Sequence, residues 1–395
     1  MHYPSHSPQE VTDLHIQHPE NTIGALRHGI EFFDGIELDV RLTVDDGLIL
    51  HHDRELMASK KYHDPNKKYV EEYSLDELTD IGFASFEQLM NDPVIYHQWK
   101  NENKMVCIEI KRPHPRAPNG GGFNGKKQHV AYVSDCIQKI DEMLDEFQIP
   151  NGTVMYYSFH KHMKQSIQLS GTSRRWASLI PYIVPYGSRR FQRMKAFPTY
   201  LTTSFSRLLR HHQAQGASIL PCAIEYLKPS TNWIPLGRKV GLKGKSLQRL
   251  TRLRQGMPMY VWPVKPKHEA SVISAGLSAL TDMSDPTETW LPSNDARWLN
   301  PATQPLLDEE QRILKNSTFE NHEMVLRDLK ENVPTWSQSE ESRKVNLINE
   351  WCSKWSVSSR YKTEALQNME HEVPFFAPRL IGHRGSGKTS RPIID

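Results

Sequence analysis

Apolar positions Ile23, Leu26, Ile30 and Phe33 recur at helical spacing between Glu20 and Phe33, and then the period shortens. Gly35-Ile-Glu-Leu-Asp-Val40 alternates as a strand does, Val44-Asp-Asp-Gly47 is a turn, and Leu48-Ile-Leu-His-His-Asp53 is the return strand of a hairpin. Ser74-Leu-Asp-Glu77 and Ser85-Phe-Glu-Gln88 have the spacing of capping boxes, each opening a short helix. Met105 to Lys111 reads as a buried strand running into a Pro- and Gly-rich loop, Arg112 to Gly125, of the kind that faces a substrate. A helix is expected from about His129 to Phe147. Further strands are expected at Val154–Phe159, Trp176–Ile180, Ala223–Leu227, Met259–Trp262 and Leu277–Asp282, most of them separated by helical patterns. Such alternation predicts a parallel sheet with covering helices.

With the Leu48 arm set aside as a hairpin return, seven strands run in line from Gly35 to Asp282, one short of a (β/α)8 barrel. Residues 290 to 375 read as helical and polar with no strand pattern, so the eighth strand is sought in Pro378-Arg-Leu-Ile-Gly-His383. No internal repeat is evident.

A chain of 395 residues holds one large domain or two ordinary ones. Its 9 Trp, 14 Tyr and 13 Phe supply enough apolar bulk for a packed core. Mean hydropathy is −0.61, and no apolar run approaches the roughly 20 residues of a membrane span. The first residues lack the basic start and apolar core of a signal peptide. The four cysteines, Cys107, Cys136, Cys222 and Cys352, are scattered without metal-site or disulfide-framework spacing, so a reducing cytoplasm is expected. Net charge is +3, but 18 Lys or Arg face a single acid, Glu225, between Phe159 and Gln255. Such a block either draws an anionic partner (phosphate, a lipid surface or nucleic acid) or solvates outer helices.

Glu37 and Asp39 are two apart on a strand and share one face. Symmetric folding about Asp45 and Asp46 sets Asp39 opposite His52, and a bulged turn shifts the pairing to His51. Glu109 and Lys111 repeat the spacing on the next strand, giving a third carboxylate with a cation beside it. Three carboxylates suit a hard cation, Mg²⁺ or Ca²⁺, better than Zn²⁺. Such a cation, Lys111 and a nearby Arg would neutralise a phosphate, and two histidines would supply acid and base near neutral pH. His52 is one; His383, with Arg384 next to it, is the candidate for the other. Singly, each signal has an ordinary explanation as an edge-strand charge or an internal ion pair; their succession along the chain is what points to a site. Gly382 to Thr389 also fits the phosphate-loop pattern G-x-x-x-x-G-K-[ST], which works only between a strand and a helix, whereas the sequence stops six residues later.

Pro19-Glu-Asn-Thr22, Gly35–Val40, Leu48–Asp53, Cys107-Ile-Glu-Ile-Lys111, Tyr157-Ser-Phe159, Tyr260-Val-Trp262 and Leu280-Thr-Asp282 together resemble the glycerophosphodiester phosphodiesterases, over roughly residues 19 to 285. The resemblance implies a TIM barrel of the PLC-like phosphodiesterase type, whose first strand ends in His-Arg-Gly shortly before Glu-Asn-Thr. Here that triplet is His383-Arg384-Gly385, so the chain reads as circularly permuted, with a helical extension. The organisation then expected is an N-terminal loop (1–18), barrel strands two to eight (19–289), a helical linker (290–375) and a C-terminal segment giving strand one (376–395).

By the same resemblance Glu37, Asp39 and Glu109 hold Mg²⁺ or Ca²⁺, His383 and His52 act as general acid and base, Arg384 and Lys111 bind phosphate, and Trp262 lines the substrate pocket. The implied reaction splits a small-molecule glycerophosphodiester into glycerol phosphate and an alcohol, and no nucleic acid partner is expected. Trp262-Pro-Val-Lys265 departs from the family's W-T-V-N, so polar contacts from the Thr and Asn positions are not expected. Residues 181–210, rich in aromatic and basic side chains, would suit an anionic membrane surface and lysophospholipid substrates. Two other readings are a lyase leaving a cyclic phosphate, and an inactive slice of a tandem protein. In the slice the Leu380 strand would stand apart from the barrel.

Overall fold

The computed structural model describes residues 17–56, 64, 66–228, 240–283 and 285–388. Most of the expected loop over 1–18, and the tail from Thr389 onward, therefore lie outside the described residues. Nine strands are present: β1 (Gly35–Leu42), β2 (Leu48–Leu50), β3 (Met105–Ile110), β4 (Val154–Ser158), β5 (Arg175–Ser178), β6 (Leu220–Ala223), β7 (Met259–Val264), β8 (Ser278–Thr281) and β9 (Leu380–Gly382). They run in the order β5-β4-β3-β1-β9-β8-β7-β6, with β2 hanging off β1 as the hairpin arm. Every neighbouring pair on that path is parallel. The open side between β5 and β6 is spanned by the Ser218 N–H, which donates to the Trp176 carbonyl at 2.8 Å. The result is a nearly closed eight-stranded TIM barrel.

Alternation builds the two layers. Ile36, Leu38 and Val40 of β1 and Val106, Ile108 and Ile110 of β3 pack outward under the covering helices. Cys107, Met155, Tyr157, Ala177, Tyr260, Leu280 and Ile381 fill the barrel interior. Glu37, Asp39 and Glu109 have the opposite parity to that outer set, so period two alone sends them inward. The Ile23–Phe32 helix starts where Thr22 Oγ1 accepts the Ala25 N–H at 3.2 Å. Both capping boxes form: Ser74 Oγ accepts from Glu77 N at 3.2 Å, and Ser85 Oγ from Gln88 N at 3.0 Å.

β9 inserts between β8 and β1, pairing Leu280 with Ile381 and Ile36 with Gly382. A buried carboxylate clasps it there. Asp34 accepts the Leu380 N–H at 2.9 Å and the Thr303 N–H and hydroxyl, each at 2.8 Å. One side chain thus ties the start of β1 to β9 and to the polypeptide beyond residue 290. That region carries four helices, Asp308–Lys315, His322–Asn332, Glu341–Lys354 and Ser359–Asn368, packed around Trp336, Trp351 and Trp355. Trp355 Nε1 donates to the Ser274 carbonyl at 3.3 Å, fixing this layer to the barrel. Among the described residues, no helix is long and apolar enough to cross a membrane.

Two local expectations are corrected. The strand expected at Ala223–Leu227 is Leu220–Ala223, and Ile224–Tyr226 is a 3-10 turn whose buried Ile224 mimics strand alternation. The hairpin pairs Val40 with Leu50, and the His51 N–H donates to the Asp39 carbonyl, so His51 rather than His52 stands opposite Asp39. The one-residue shift follows from the Thr43–Gly47 loop, in which Asp46 takes φ +63°.

Candidate active site

Strand register assembles the site at the C-terminal ends of the barrel strands. Asp39 pairs with Glu109 across β1 and β3, and Ile36 pairs with Gly382, so Glu37 is brought alongside His383. Thr281 pairs with Gly382 on the other flank, which sets Asp282 beside the same histidine. His383 Nδ1 lies 2.6 Å from Asp282 Oδ1 and its Nε2 lies 3.8 Å from Glu37 Oε2. Arg384 follows in the left-handed region at φ +56°, a strained setting held by its N–H to Glu37 Oε2 at 3.0 Å. Gly385 then turns the chain at φ +84°, where a Cβ would sit 2.5 Å from the Ala25 carbonyl.

Glu37, Asp39 and Glu109 form a buried cluster with one oxygen of each inside a 4.8 Å span. Lys111 Nζ lies 2.8 Å from Asp39 Oδ1 and also bonds Glu109 Oε1. Arg384 Nε lies 3.3 Å from Asp39 Oδ2 and its Nη1 lies 2.7 Å from Glu20 Oε1. Glu37 is pushed up to about 8 by burial and by the Asp39 charge. Asp39 is held well below the usual carboxylate range, because Lys111 and Arg384 outweigh its burial. His383 is raised above 6.5: burial opposes its charge, and the Asp282 bond and Glu37 overcome it.

A cavity of about 1480 Å³ opens over this corner, lined there by His52, Glu109, Lys111, Arg384 and Trp262. Glu37 and Asp39 are not on its wall; they are buried, with Lys111 and Arg384 of the wall bonded to them. His52 Nδ1 lies 2.9 Å from Asp53 Oδ1. The Trp262 ring meets Phe159 edge-on at 5.7 Å. His51 packs instead on Phe83 at 4.9 Å.

All the residues singled out from sequence are therefore brought to one end of the barrel. Three partners had no assigned role. Asn21 donates from Nδ2 to Asp39 Oδ2 at 2.9 Å and accepts the Asp39 N–H at 3.0 Å, locking that carboxylate. Glu20 pairs Arg384, and Asp282 pairs His383. Their only signal was membership in the segments Pro19–Thr22 and Leu280–Asp282. The G-x-x-x-x-G-K reading does not form: β9 is followed by turns over the rest of its described length, and Gly387 N donates back to the His383 carbonyl at 2.8 Å.

Fold and site define a TIM-barrel protein with a carboxylate and cation cluster at its C-terminal mouth. Residues 14–210 match the model of the glycerophosphoryl diester phosphodiesterase family, and the chain belongs to that family. It is 33% identical over 101 residues to a glycerophosphodiester phosphodiesterase of Caldanaerobacter subterraneus subsp. tengcongensis, covering 24% of this chain and 40% of the relative. It is 28% identical over 152 residues to one from Bacillus altitudinis, covering 36% and 54%. The chain thus spans less than two thirds of either relative. A phosphodiesterase of Oleispira antarctica, solved with the product sn-glycerol-3-phosphate, is similar at TM-score 0.41 and 13% identity over 67% of this chain and 88% of that one.

Proposed function

We propose that the protein is a metal-dependent phosphodiesterase that hydrolyses glycerophosphodiesters to glycerol phosphate and an alcohol. The observation that carries this is the convergence of His383 and Arg384 with Glu37, Asp39 and Glu109 at the mouth of one barrel, from opposite ends of the sequence. Family membership and the names of the two relatives support the reaction class.

The residues fit a hard divalent cation. Glu20, Glu37, Asp39 and Glu109 bring four carboxylates, and Lys111 and Arg384 bring two permanent positive charges. Such a surplus of buried negative charge is balanced either by a proton, as on Glu37, or by a cation. The donors are all oxygens, which suits Mg²⁺ or Ca²⁺, held by Glu37, Asp39 and Glu109. When bound, the ion supplies positive charge to a phosphate oxygen.

Lys111 and Arg384, on the cavity wall, bind the remaining phosphate charge. The glycerol hydroxyl attacks phosphorus while one of His52 and His383 takes its proton and the other protonates the departing alkoxide. The same pair, with roles exchanged, activates water and completes hydrolysis. Asp53 and Asp282 orient the two rings. Trp262 and Phe159 give an apolar wall for the glycerol or the leaving group. Hydrolysis of sn-glycero-3-phosphocholine, with and without chelator, tests this; no turnover of any glycerophosphodiester with Mg²⁺ or Ca²⁺ present sinks it. A cyclic phosphate that accumulates as the final product would favour the lyase reading instead.

A second reading, action on lysophospholipids at an anionic membrane, is favoured by the Arg189–Thr202 helix at the cavity rim, which exposes Met194 (63%) and Phe197 (55%) among Arg190, Arg193 and Lys195. Turnover that does not respond to anionic vesicles would remove it. We also take the insertion of β9 between β8 and β1 as circular permutation relative to the family's His-Arg-Gly first strand, with 290–375 as the segment that returns the chain. The free, buried cysteines support a cytoplasmic setting.

A further inference from the structure

The cavity is larger than a glycerophosphodiester fills, since small-ligand pockets run from roughly 300 to 1,000 Å³. The catalytic corner takes only one part of its 1480 Å³. Elsewhere on the wall stand Arg54 and Arg112, and among the described lining residues Lys and Arg outnumber Asp and Glu three to one.

Among the described residues neither Arg54 nor Arg112 is in an ion pair. Arg54 Nη2 donates to the Val184 carbonyl at 3.4 Å and Arg112 Nη2 to the Ile183 carbonyl, while Arg54 Nε is buried without a hydrogen-bond partner. The nearby acids are committed elsewhere: Glu71 to Arg41 at 2.7 Å, Asp53 to His52 at 2.9 Å and Glu109 to Lys111. Burial pushes both guanidinium groups down to about 10, with Arg41 lowering Arg54 and Arg54 lowering Arg112. Two uncompensated positive charges turned into a cleft are costly unless an anion visits them. The two backbone carbonyls hold the guanidinium forks in place, so little ordering remains when an anion arrives.

We propose that Arg54 and Arg112 form a second anion subsite that binds a phosphate monoester on the leaving-group alcohol, making phosphorylated-alcohol glycerophosphodiesters the preferred substrate class. This deepens, and rests on, the phosphodiesterase reading of the same cavity.

A matched substrate pair tests it: glycerophosphoglycerol, with a neutral leaving group, and the same diester with a terminal phosphate on that glycerol. The native chain should favour the phosphorylated diester by about 10- to 100-fold in kcat/KM, mainly through KM, the range that charged hydrogen bonds supply. In Arg54→Gln/Arg112→Gln the ratio should fall toward one, and in Arg54→Lys/Arg112→Lys it should be largely kept. No preference in the native chain overturns the proposal. So does an equal loss on both substrates that the Lys pair does not rescue, because the arginines would then only pin the loop around Ile183. Should neither diester turn over, the phosphodiesterase reading fails by itself. Calorimetric titration with inorganic phosphate then decides the subsite: weaker or fewer binding events in the Gln pair support it, and identical isotherms overturn it.

Discussion

His383 Nδ1 and Asp282 Oδ1 lie 2.6 Å apart, joining residues that are 101 positions apart in the chain. The contact fixes which ring nitrogen faces the carboxylate and leaves Nε2 on the side of Glu37. It also holds the His383 proton affinity above its ordinary 6.5 against the cost of burial. Asp282→Asn should therefore lower the His383 titration midpoint, read by NMR, and reduce kcat by about 10- to 100-fold, less than removal of the ring itself. The sign of the linked stability effect follows. A raised histidine pKa adds stability that is complete below about 6.5 and lost as pH rises through the folded value. That slope should flatten in Asp282→Asn; an unchanged midpoint would show that the carboxylate does not tune the ring.

Asn21→Ala should destabilise the fold by about 2–3 kcal/mol in urea unfolding. Both groups that Asn21 bonds, the Asp39 carboxylate and the Asp39 N–H, are buried and would lose their partner. Asn21 also adopts φ +60°, which asparagine tolerates better than alanine. A change below about 0.5 kcal/mol would contradict this reading.

Asp34→Ala removes the shared acceptor of Leu380, Ala302 and Thr303. A loss of about 3 kcal/mol or more is expected. Hydrogen exchange should rise in β9 before it rises in β3 and β4, because only β9 is clasped by this carboxylate. Uniform loss of protection across all strands would argue against a local clasp.

Glu109→Gln removes one charge from the carboxylate cluster and leaves Lys111 with Asp39. Calorimetry should show Mg²⁺ or Ca²⁺ binding weakened about tenfold or more, since ligand charge sets affinity in such sites. Unchanged affinity would move the ion away from this cluster.

The carboxylates were legible because period two on two successive strands announces a shared face, and β1 and β3 are regular enough for that rule to hold. The β9 strand was legible because a short apolar run ended in a recognisable triplet and the strand count was one short. β6 was misplaced by about three residues: Pro221 weakens its strand character, and the apolar Ile224 and Leu227 that follow imitate alternation although they sit in and after a 3-10 turn. The exchange of His51 for His52 opposite Asp39 came from one left-handed residue, Asp46, which no hydrophobic pattern encodes. Glu20, Asn21 and Asp282 carry their meaning only through contacts to residues 383 and 384 or across strands, so nothing local marks their roles. The basic block, too, divides in space. Arg174 pairs Asp141 and Asp145, Arg175 pairs Glu364, and Arg193 reaches the cavity wall.

The account stands on His383 and His52 serving one reaction although they lie at opposite ends of the sequence. The direct measurement is kcat for glycerophosphodiester hydrolysis by His383→Ala, His52→Ala and the double variant, each shown by circular dichroism to be folded. Each single change should cost about 10²- to 10⁴-fold, and the double should cost little more than either, as expected of groups that act as a unit. A His383→Ala protein that keeps native kcat while His52→Ala is inactive would contradict it.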